Sequence, residues 1–401
     1  MGKIDAIINA RVITPFRIIN NSGIVIKDGI IADILLDGDY SLVRGMNVFD
    51  AEGMYLSPGF IDTHTHGGGG HDYMEGTVDA VLQSACTHLK HGTTSIVPTT
   101  SASPDKDLFK MMDSFIEAKK TAVNAPRLLG IHLEGPYFSM EQRGAQNPKY
   151  LKNPVREEYL KILDYAKGNI LIWSAAPELQ GGMELGRELQ RRGIVASIAH
   201  SDAYYNEVVK AFESGYTQVT HLYSGCSLLR RKNSYRYLGV VESAFLIDAM
   251  NVEVIADGCH MPIELLQMIY KIKGPDRMIL VTDSIMAAGM PEGEYIIGNK
   301  ESGTKIIVED GVAKLPDRSS FAGSVATADH LIRTMHKGAG LPLHEVVGMM
   351  TTNPARLLGK SGSLGVIAIG ANADLVVFDE DIRISKVFVG GKEVDSHLNS
   401  K

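Results

Sequence analysis

Residue types that ligate metals recur where short apolar segments of this sequence end. His64 and His66 close the segment GFIDTHTH, and residues i and i+2 of an extended segment point to the same face, so both imidazoles could bind one cation. Later segments end in Glu134, His200 and His221. Any one of these alone is more typical of a hydrogen-bonded structural residue. Their repeated position favours a shared metal site, because several polar side chains aimed at one point are costly to bury without a cation.

The nitrogen and oxygen ligands of this set indicate a divalent ion, with zinc and ferrous iron as the candidates. Glu134 could bridge two ions, with His64 and His66 on one ion and His200 and His221 on the other. We therefore expect one or two ions per subunit. A hydrolytic site uses such an ion to lower the pKa of a bound water from about 15.7 towards about 7.

Asp283 closes a further segment, RMILVTD, and is predicted to act differently from the ligands. It could take a proton from the attacking water and pass it to the departing amine, which an amide requires because its anion is a poor leaving group. We interpret Asp283 as the catalytic residue rather than as a sixth metal ligand.

These side chains need elements that bring the ends of separate segments together. Eight nearly continuous apolar runs, each followed by a helix-like stretch, are typical of parallel strands covered on both faces. In order they read GFIDTHTH, TTSIVPTT, RLLGIHLEG, ILIWSAAPE, IVASIAH, TQVTHL, NVEVIADGCH and RMILVTD. They predict an α/β fold with a (β/α)8 TIM-type barrel over residues 58–358, which would carry its active site at the C-terminal ends of the strands.

Both ends of the chain show a different, β-rich pattern. Residues 1–57 alternate apolar runs with Gly and Asp turns, including Asp28-Gly29 as a hairpin dipeptide, and residues 359–401 have the same texture. We predict that the two segments pair into one small β-sandwich domain. A β-hairpin inserted over residues 291–318, with a turn at Asp310-Gly311, is also expected.

The bulk composition argues against several classes of partner. The formal net charge is −7, and no run of Lys and Arg is long enough to follow a phosphate backbone, so nucleic acid is not expected. No apolar run reaches the roughly 18 residues of a membrane span, and the N-terminus lacks a signal-peptide core. The three cysteines are widely spaced, which argues against a disulfide framework. We expect a cytoplasmic location.

The motifs PGFIDTHTHG, IHLEGPY, IAHSDA, THLY, IADGCH and LVTDS, in this order over nearly the whole chain, resemble those of the N-acetylglucosamine-6-phosphate deacetylases of the amidohydrolase superfamily. The resemblance implies a cytoplasmic homodimer that converts N-acetylglucosamine 6-phosphate into glucosamine 6-phosphate and acetate. It also supports Glu134 as a ligand, because this glutamate takes the place of a carboxylated lysine in hydantoinase-like relatives.

The same resemblance implies candidate substrate-binding residues. His260 matches the position that binds the sugar or its phosphate, and Gln146 stands where many members have a histidine near the substrate carbonyl. Arg236 resembles the arginine that reaches the phosphate, often across the dimer interface, and its guanidinium suits that bidentate role.

The chain departs from the family pattern after His221. The family usually reads His-Leu-Phe/Tyr-Asn-Ala-Met, whereas this chain has Ser224, Gly225 and Cys226, followed by the segment SLLRRKNSYRYLG. Ser224 and Gly225 are predicted to take the substrate-binding place of the family's Asn-Ala. The following segment could bind a different sugar, such as N-acetylgalactosamine 6-phosphate, or form a dimer contact.

Two other functions stay open at this point. One is a different amidohydrolase, such as a cyclic-amide hydrolase, although such enzymes more often carry a lysine as bridging ligand. The other is a catalytically inactive scaffold barrel, which the complete set of chemically competent residues disfavours.

Overall fold

Eight parallel strand units form the centre of the molecule in the computed structural model, which describes residues 4–298 and 303–394. Each of the eight predicted apolar runs overlaps one of them, and only the sixth strand begins outside its run, one residue earlier at Tyr216. Their bounds are Phe60–Thr65, Thr93–Pro98, Arg127–Leu128 with Ile131–Glu134, Ile170–Ala175, Val195–Ile198, Tyr216–Val219, Asn251–Val254 and Met278–Leu280. The first two are buried along their whole length, as the continuous apolar pattern predicted.

The strand units are hydrogen-bonded to one another in sequence order. Phe60–Thr65, Thr93–Pro98 and Arg127–Leu128 form one parallel sheet, and Ile131–Glu134 opens a six-stranded parallel sheet that ends at Met278–Leu280. Isolated parallel bridges from Thr99 to His132 and from Thr65 to Ser284 connect the two sheets at both of their edges. The C-terminal ends of the strands therefore face one common region.

Helices alternate with the strands along the chain. The first begins after Thr77, whose Oγ1 accepts a hydrogen bond from the Ala80 amide and caps the helix. The α-helices are Val78–Leu89, Asp105–Thr121, Arg156–Tyr165, Gly182–Arg191, Tyr205–Glu213, Val240–Leu246, Ile263–Lys273, Ala328–Arg333, Leu343–Met349 and Thr352–Leu357; a π-helical turn spans Thr334–Gly338, and 3-10 turns span Ser41–Val43, Tyr73–Glu75, Pro148–Tyr150 and Pro275–Arg277.

A separate sheet joins the two ends of the chain. Leu375–Phe378 pairs antiparallel with Tyr55–Pro58, so the expected pairing of the terminal segments occurs. The sheet contains, in order, Lys392–Glu393, Ile384–Val389, Leu375–Phe378, Tyr55–Pro58, Ala6–Ile13, Ile18–Lys27 and Ile30–Leu35, with Val48–Asp50 paired to Ala6–Ile13. The predicted Asp28-Gly29 turn connects two of these strands, and both residues have left-handed φ angles of 52° and 80°. Residues 1–3 and 395–401 of the predicted domain lie outside the described residues.

The inserted segment is larger than the predicted hairpin. It forms a four-stranded antiparallel sheet from Gly293–Ile297, Thr304–Glu309, Val312–Lys314 and Phe321–Ser324. The predicted second arm folds back on itself at Asp310-Gly311, where Glu309 pairs with Val312. Residues 299–302, between the first two strands, lie outside the described residues. Two short ribbons complete the fold, Gly67–Gly68 with His71–Asp72 and Arg230–Lys232 with Tyr235–Tyr237.

Candidate metal centre

Two imidazoles at the end of the first central strand face each other. The Nε2 atoms of His64 and His66 lie 3.3 Å apart, and both side chains are buried. Each Nε2 also lies near a carboxylate oxygen of Glu134, at 3.7 Å from His64 and 3.4 Å from His66. The alternation of the strand thus places both residues on one face, as the i, i+2 spacing indicated.

Two further imidazoles approach Glu134 from the other side. The Nε2 atoms of His200 and His221 lie 3.4 Å and 2.9 Å from Glu134 Oε1. In both trios, His64 with His66 and Glu134, and Glu134 with His200 and His221, the ligand atoms lie within 4.8 Å of one another. Glu134 is common to both trios, which is the arrangement that a bridging carboxylate requires.

Asp283 faces the same point from the end of the last central strand. Its Oδ1 lies 3.4 Å from His64 Nε2 and 3.3 Å from His66 Nε2. Asp283, His200 and His221 have left-handed φ angles of 46°, 44° and 28°. Such backbone is unfavourable for residues other than glycine and concentrates at functional sites. The structure brings all six side chains together; their roles as ligands and as catalytic base remain predictions.

The outer nitrogens of two of these imidazoles have hydrogen-bond partners of their own. His64 Nδ1 lies 3.1 Å from Glu253 Oε2, and His200 Nδ1 donates to the Gln142 carbonyl at 2.8 Å. Such contacts fix ring orientation and direct Nε2 towards the centre. Sequence reasoning missed Glu253 because it lies in the middle of strand Asn251–Val254, whereas the predicted ligands were sought at strand ends.

Carboxylates dominate the electrostatics of the cluster. Burial alone would raise the pKa of Glu134, but hydrogen bonds from His200 and His221 bring it well below its usual value. Burial likewise opposes ionisation of Asp283, yet the neighbouring His64 and His66 lower its pKa to about 2. Burial lowers the pKa of His64, but Asp283, Glu253 and Glu134 outweigh this effect and raise it to about 9.

These pKa shifts indicate whether the cluster could hold a cation. The carboxylates raise the proton affinity of His64, which means that the centre favours positive charge. Imidazole nitrogens and carboxylate oxygens directed at one point are a donor set for zinc or ferrous iron. The residues therefore fit a divalent ion.

A cavity of about 400 Å³ opens onto the cluster. Four predicted substrate-binding residues line it: Gln146, Ser224, Gly225 and His260. Gln146 Nε2 donates to Glu134 Oε2 at 2.8 Å, while its Oε1 accepts from the Ala102 amide at 3.0 Å. His260 Nδ1 lies 2.7 Å from Asp257 Oδ2, which orients the ring.

Arg236, the fifth predicted substrate-binding residue, lies elsewhere. It is exposed on the strand Tyr235–Tyr237, opposite Arg231, and does not line the cavity. Among the described residues that do line the cavity, none is Lys or Arg. A role for Arg236 in binding phosphate would require a second subunit, and it stays a prediction.

The sequence model of the Amidohydrolase family matches residues 55–394. The chain belongs to the amidohydrolase family. Within this family it is 32% identical to an N-acetylglucosamine-6-phosphate deacetylase of Lysinibacillus sphaericus, over 95% of this chain and 97% of that protein. It is 27% identical to an N-acetylgalactosamine-6-phosphate deacetylase of Escherichia coli O157:H7, over 95% and 97% of the two chains.

Solved amidohydrolase structures agree with these matches. A mutant N-acetyl-D-glucosamine-6-phosphate deacetylase of Mycobacterium smegmatis, in complex with N-acetyl-D-glucosamine-6-phosphate, superposes with a TM-score of 0.89 at 28% identity, covering 98% of this chain and all of that one. The resemblance drawn from the motifs is confirmed, and with it the assignment to the hydrolases of carbon–nitrogen bonds.

Among the described residues, no helix is long and apolar enough to cross a membrane.

Proposed function

We propose that this amidohydrolase removes the acetyl group from an N-acetylhexosamine phosphate, with N-acetylglucosamine 6-phosphate as the leading substrate. The products would be glucosamine 6-phosphate and acetate. The observation that carries the proposal is the convergence of four histidines, Glu134 and Asp283 at the base of one cavity. The activities named for the similar proteins supply the substrate class.

We also propose the architecture that creates this convergence. Hydrogen bonding in sequence order, with bridges at both sheet edges, supports a closed (β/α)8 barrel over residues 58–358. Pairing of Leu375–Phe378 with Tyr55–Pro58 supports a second domain, a small β-sandwich, from residues 1–57 and 359–401.

His64, His66, Glu134, His200 and His221 would hold one or two divalent ions, zinc or ferrous iron. Such an ion polarises a carbonyl oxygen and lowers the pKa of a nearby water. Gln146, whose amide already donates to Glu134, would help to orient the acetamido group at the cavity floor. Ser224, Gly225 and His260 would contact the sugar from the cavity wall.

Asp283 would move the proton. Its pKa of about 2 keeps the carboxylate ionised at neutral pH, so it can accept a proton as the water oxygen bonds to the acetyl carbon. The same proton then passes to the sugar nitrogen as the carbon–nitrogen bond breaks. Acetate leaves with the water oxygen, and the sugar leaves as the amine.

Among the described residues, the cavity lining contains no Lys or Arg side chain that could pair with the phosphate. We propose that the enzyme is a cytoplasmic homodimer in which Arg236 of each subunit reaches the phosphate bound by the other. Its exposed position on the ribbon Arg230–Lys232 with Tyr235–Tyr237 supports this proposal.

N-acetylgalactosamine 6-phosphate is the alternative substrate. The sequence Ser224-Gly225-Cys226 replaces the usual family residues, and its first two residues line the cavity. A similar protein is named for this epimer. An inactive scaffold is the alternative of a different class, and the intact cluster argues against it.

A deacetylation panel tests the proposal. Purified protein, with its metal content measured, would be assayed for acetate release from N-acetylglucosamine 6-phosphate, N-acetylgalactosamine 6-phosphate and both unphosphorylated sugars. We expect the first substrate to give the highest kcat/KM. Equal rates with the unphosphorylated sugars would refute the phosphate requirement, and inactivity of metal-loaded protein on the whole panel would refute the function.

A further inference from the structure

Glu253 is a buried carboxylate that the proposed reaction does not use. It lies on strand Asn251–Val254 beneath the cluster and has an exposed fraction of 0%. A buried charge is costly unless hydrogen bonds and partners compensate it. The hydrogen-bond partners of Glu253 therefore indicate its role.

Every hydrogen bond described for the Glu253 side chain places a potential donor against it. Gln218 Nε2 donates to Oε1 at 2.6 Å. Oε2 accepts from the His221 amide at 3.4 Å and lies 3.1 Å from His64 Nδ1. Both oxygens already accept a hydrogen bond from an amide N–H, so we assign His64 Nδ1 as the donor to Oε2.

The consequence concerns the other nitrogen of His64. When Nδ1 donates to Glu253, Nε2 is directed at Glu134 and Asp283, where a cation would bind. A carboxylate behind a ligating histidine also increases the basicity of the ring. Gln218 in turn restrains Glu253 from the neighbouring strand Tyr216–Val219.

A second metal site is the alternative interpretation of this region, because His64, His132 and Glu253 also have ligand atoms within 4.8 Å of one another. Both His132 nitrogens are engaged elsewhere, however. Nδ1 lies 3.1 Å from the Thr63 carbonyl and Nε2 lies 2.7 Å from Ser174 Oγ. Because both nitrogens of His132 already have hydrogen-bond partners, we do not interpret this trio as another metal site.

We infer that Glu253, restrained by Gln218, is a positioning residue that holds His64 for cation binding. This inference rests on the proposed function, because it assumes that His64 is a ligand. The competing explanation is that Glu253 and Gln218 form a polar pair required only for packing between the two strands.

Two variants separate these explanations. Glu253→Gln keeps the shape of the side chain but removes its charge. The double variant Gln218→Glu with Glu253→Gln keeps both the composition and the buried pair, and moves the carboxylate one strand away from His64. Glu188→Gln is the control, since Glu188 is a buried carboxylate paired with Arg191 and Arg192 on a helix that does not line the cavity.

The experiment measures zinc affinity by chelator competition on metal-stripped, reloaded protein, together with thermal unfolding of the metal-free form. We expect Glu253→Gln to bind zinc about 10 to 100 times more weakly, the range typical of such outer partners. The double variant should recover thermal stability without recovering zinc affinity. Glu188→Gln should bind zinc as the parent does.

Unchanged zinc affinity in Glu253→Gln, or full recovery of affinity in the double variant, would overturn the inference. Should Glu253→Gln fail to fold, Gln218→Met gives the same test, since it removes only the restraint on Glu253. We expect Gln218→Met to bind zinc more weakly than the parent does. Parental zinc affinity in this variant would count against the inference. Zinc affinity is measured without substrate. A failure of the substrate panel therefore leaves this result readable by itself.

Discussion

Asp283 is close to the histidines, yet a loss of its charge should affect the reaction more than metal binding. Asp283→Asn keeps the shape but cannot accept a proton, so we expect kcat to fall by about 10² to 10⁴ while bound metal stays at the parental level. Steady-state kinetics with elemental analysis would check this. Parental turnover in the variant would contradict the proton-transfer role, and loss of metal would indicate that Asp283 is a ligand.

Gly225 packs so closely against His200 that a larger residue would not fit without a shift. A Cβ at this position would lie 2.5 Å from His200 Nδ1 and 2.9 Å from the Gln142 carbonyl oxygen, and its φ is 57°. Gly225→Ala should therefore disturb the hydrogen bond that orients His200, and reduce zinc affinity and kcat/KM by at least tenfold. Gly168→Ala is the matched control, because Gly168 also has a left-handed φ, 76°, but no atom within 4 Å of the added carbon.

Gly168→Ala should cost only about 1 kcal/mol of stability from backbone strain and leave activity intact. Equal losses of activity in both glycine variants would mean that backbone strain alone is responsible, and that the contact with His200 is irrelevant.

Single residues differ in how far the sequence could predict them. His64, His66 and Asp283 could be predicted from the sequence because each ends an apolar run, and strand ends meet in an α/β fold. Glu253 and the packing role of Gly225 were missed, because both roles depend on contacts between residues distant in sequence. A polar residue inside an apolar strand, as in NVEVIADG, is the signal that could have found Glu253.

At the level of elements, the first helix contacts the end of the strand that carries His64 and His66 through His88. This residue of Val78–Leu89 is fully buried, and its Nε2 donates to the Gly67 carbonyl at 2.8 Å. Its Nδ1 has no hydrogen-bond partner among residues 4–298 and 303–394. Burial lowers the pKa of His88 to about 4, because protonation would place an unpaired charge in the core.

His88 should make the metal-free protein less stable as the pH falls. Above about pH 6.5 the residue is neutral in both states, and between about 6.5 and 4 only the unfolded chain takes up the proton. For each unit by which the pH falls in that window, His88 should thus lower the free energy of unfolding of the metal-free protein by about 1.4 kcal/mol. His88→Gln should show a correspondingly flatter dependence in denaturant titrations. Parallel curves for parent and variant would contradict this account.

Elements with strong apolar periodicity were predictable, and the others were not. The eight central strands were read directly from continuous Val and Ile runs. The ribbon Arg230–Lys232 with Tyr235–Tyr237 was missed because its charged and aromatic residues carry no buried face. Its turn at Asn233 and Ser234 uses left-handed φ angles of 47° and 68°, which Asn tolerates and which mark a tight hairpin.

Across the whole molecule, one strand connects the terminal sheet to the central strands. Along Leu375–Phe378, all four side chains are buried. Val376 and Phe378 belong to the large core around the central strands, whereas Leu375 and Val377 belong to the core of the terminal sheet. The strand alternates between two cores, and its neighbour Tyr55–Pro58 leads almost directly into the strand that carries His64.

This arrangement predicts that the two regions unfold together. Phe378→Ala should cost about 3 to 5 kcal/mol and Leu375→Ala about 2 to 5 kcal/mol, through loss of buried surface and cavity formation in different cores. Trp173, the single tryptophan, lies in the core of the central strands and reports on that region alone. If the molecule is cooperative, Leu375→Ala should shift the Trp173 fluorescence transition in denaturant as far as it shifts the circular dichroism transition. A Trp173 transition that stays at the parental midpoint in Leu375→Ala would show instead that the terminal sheet unfolds as an independent unit.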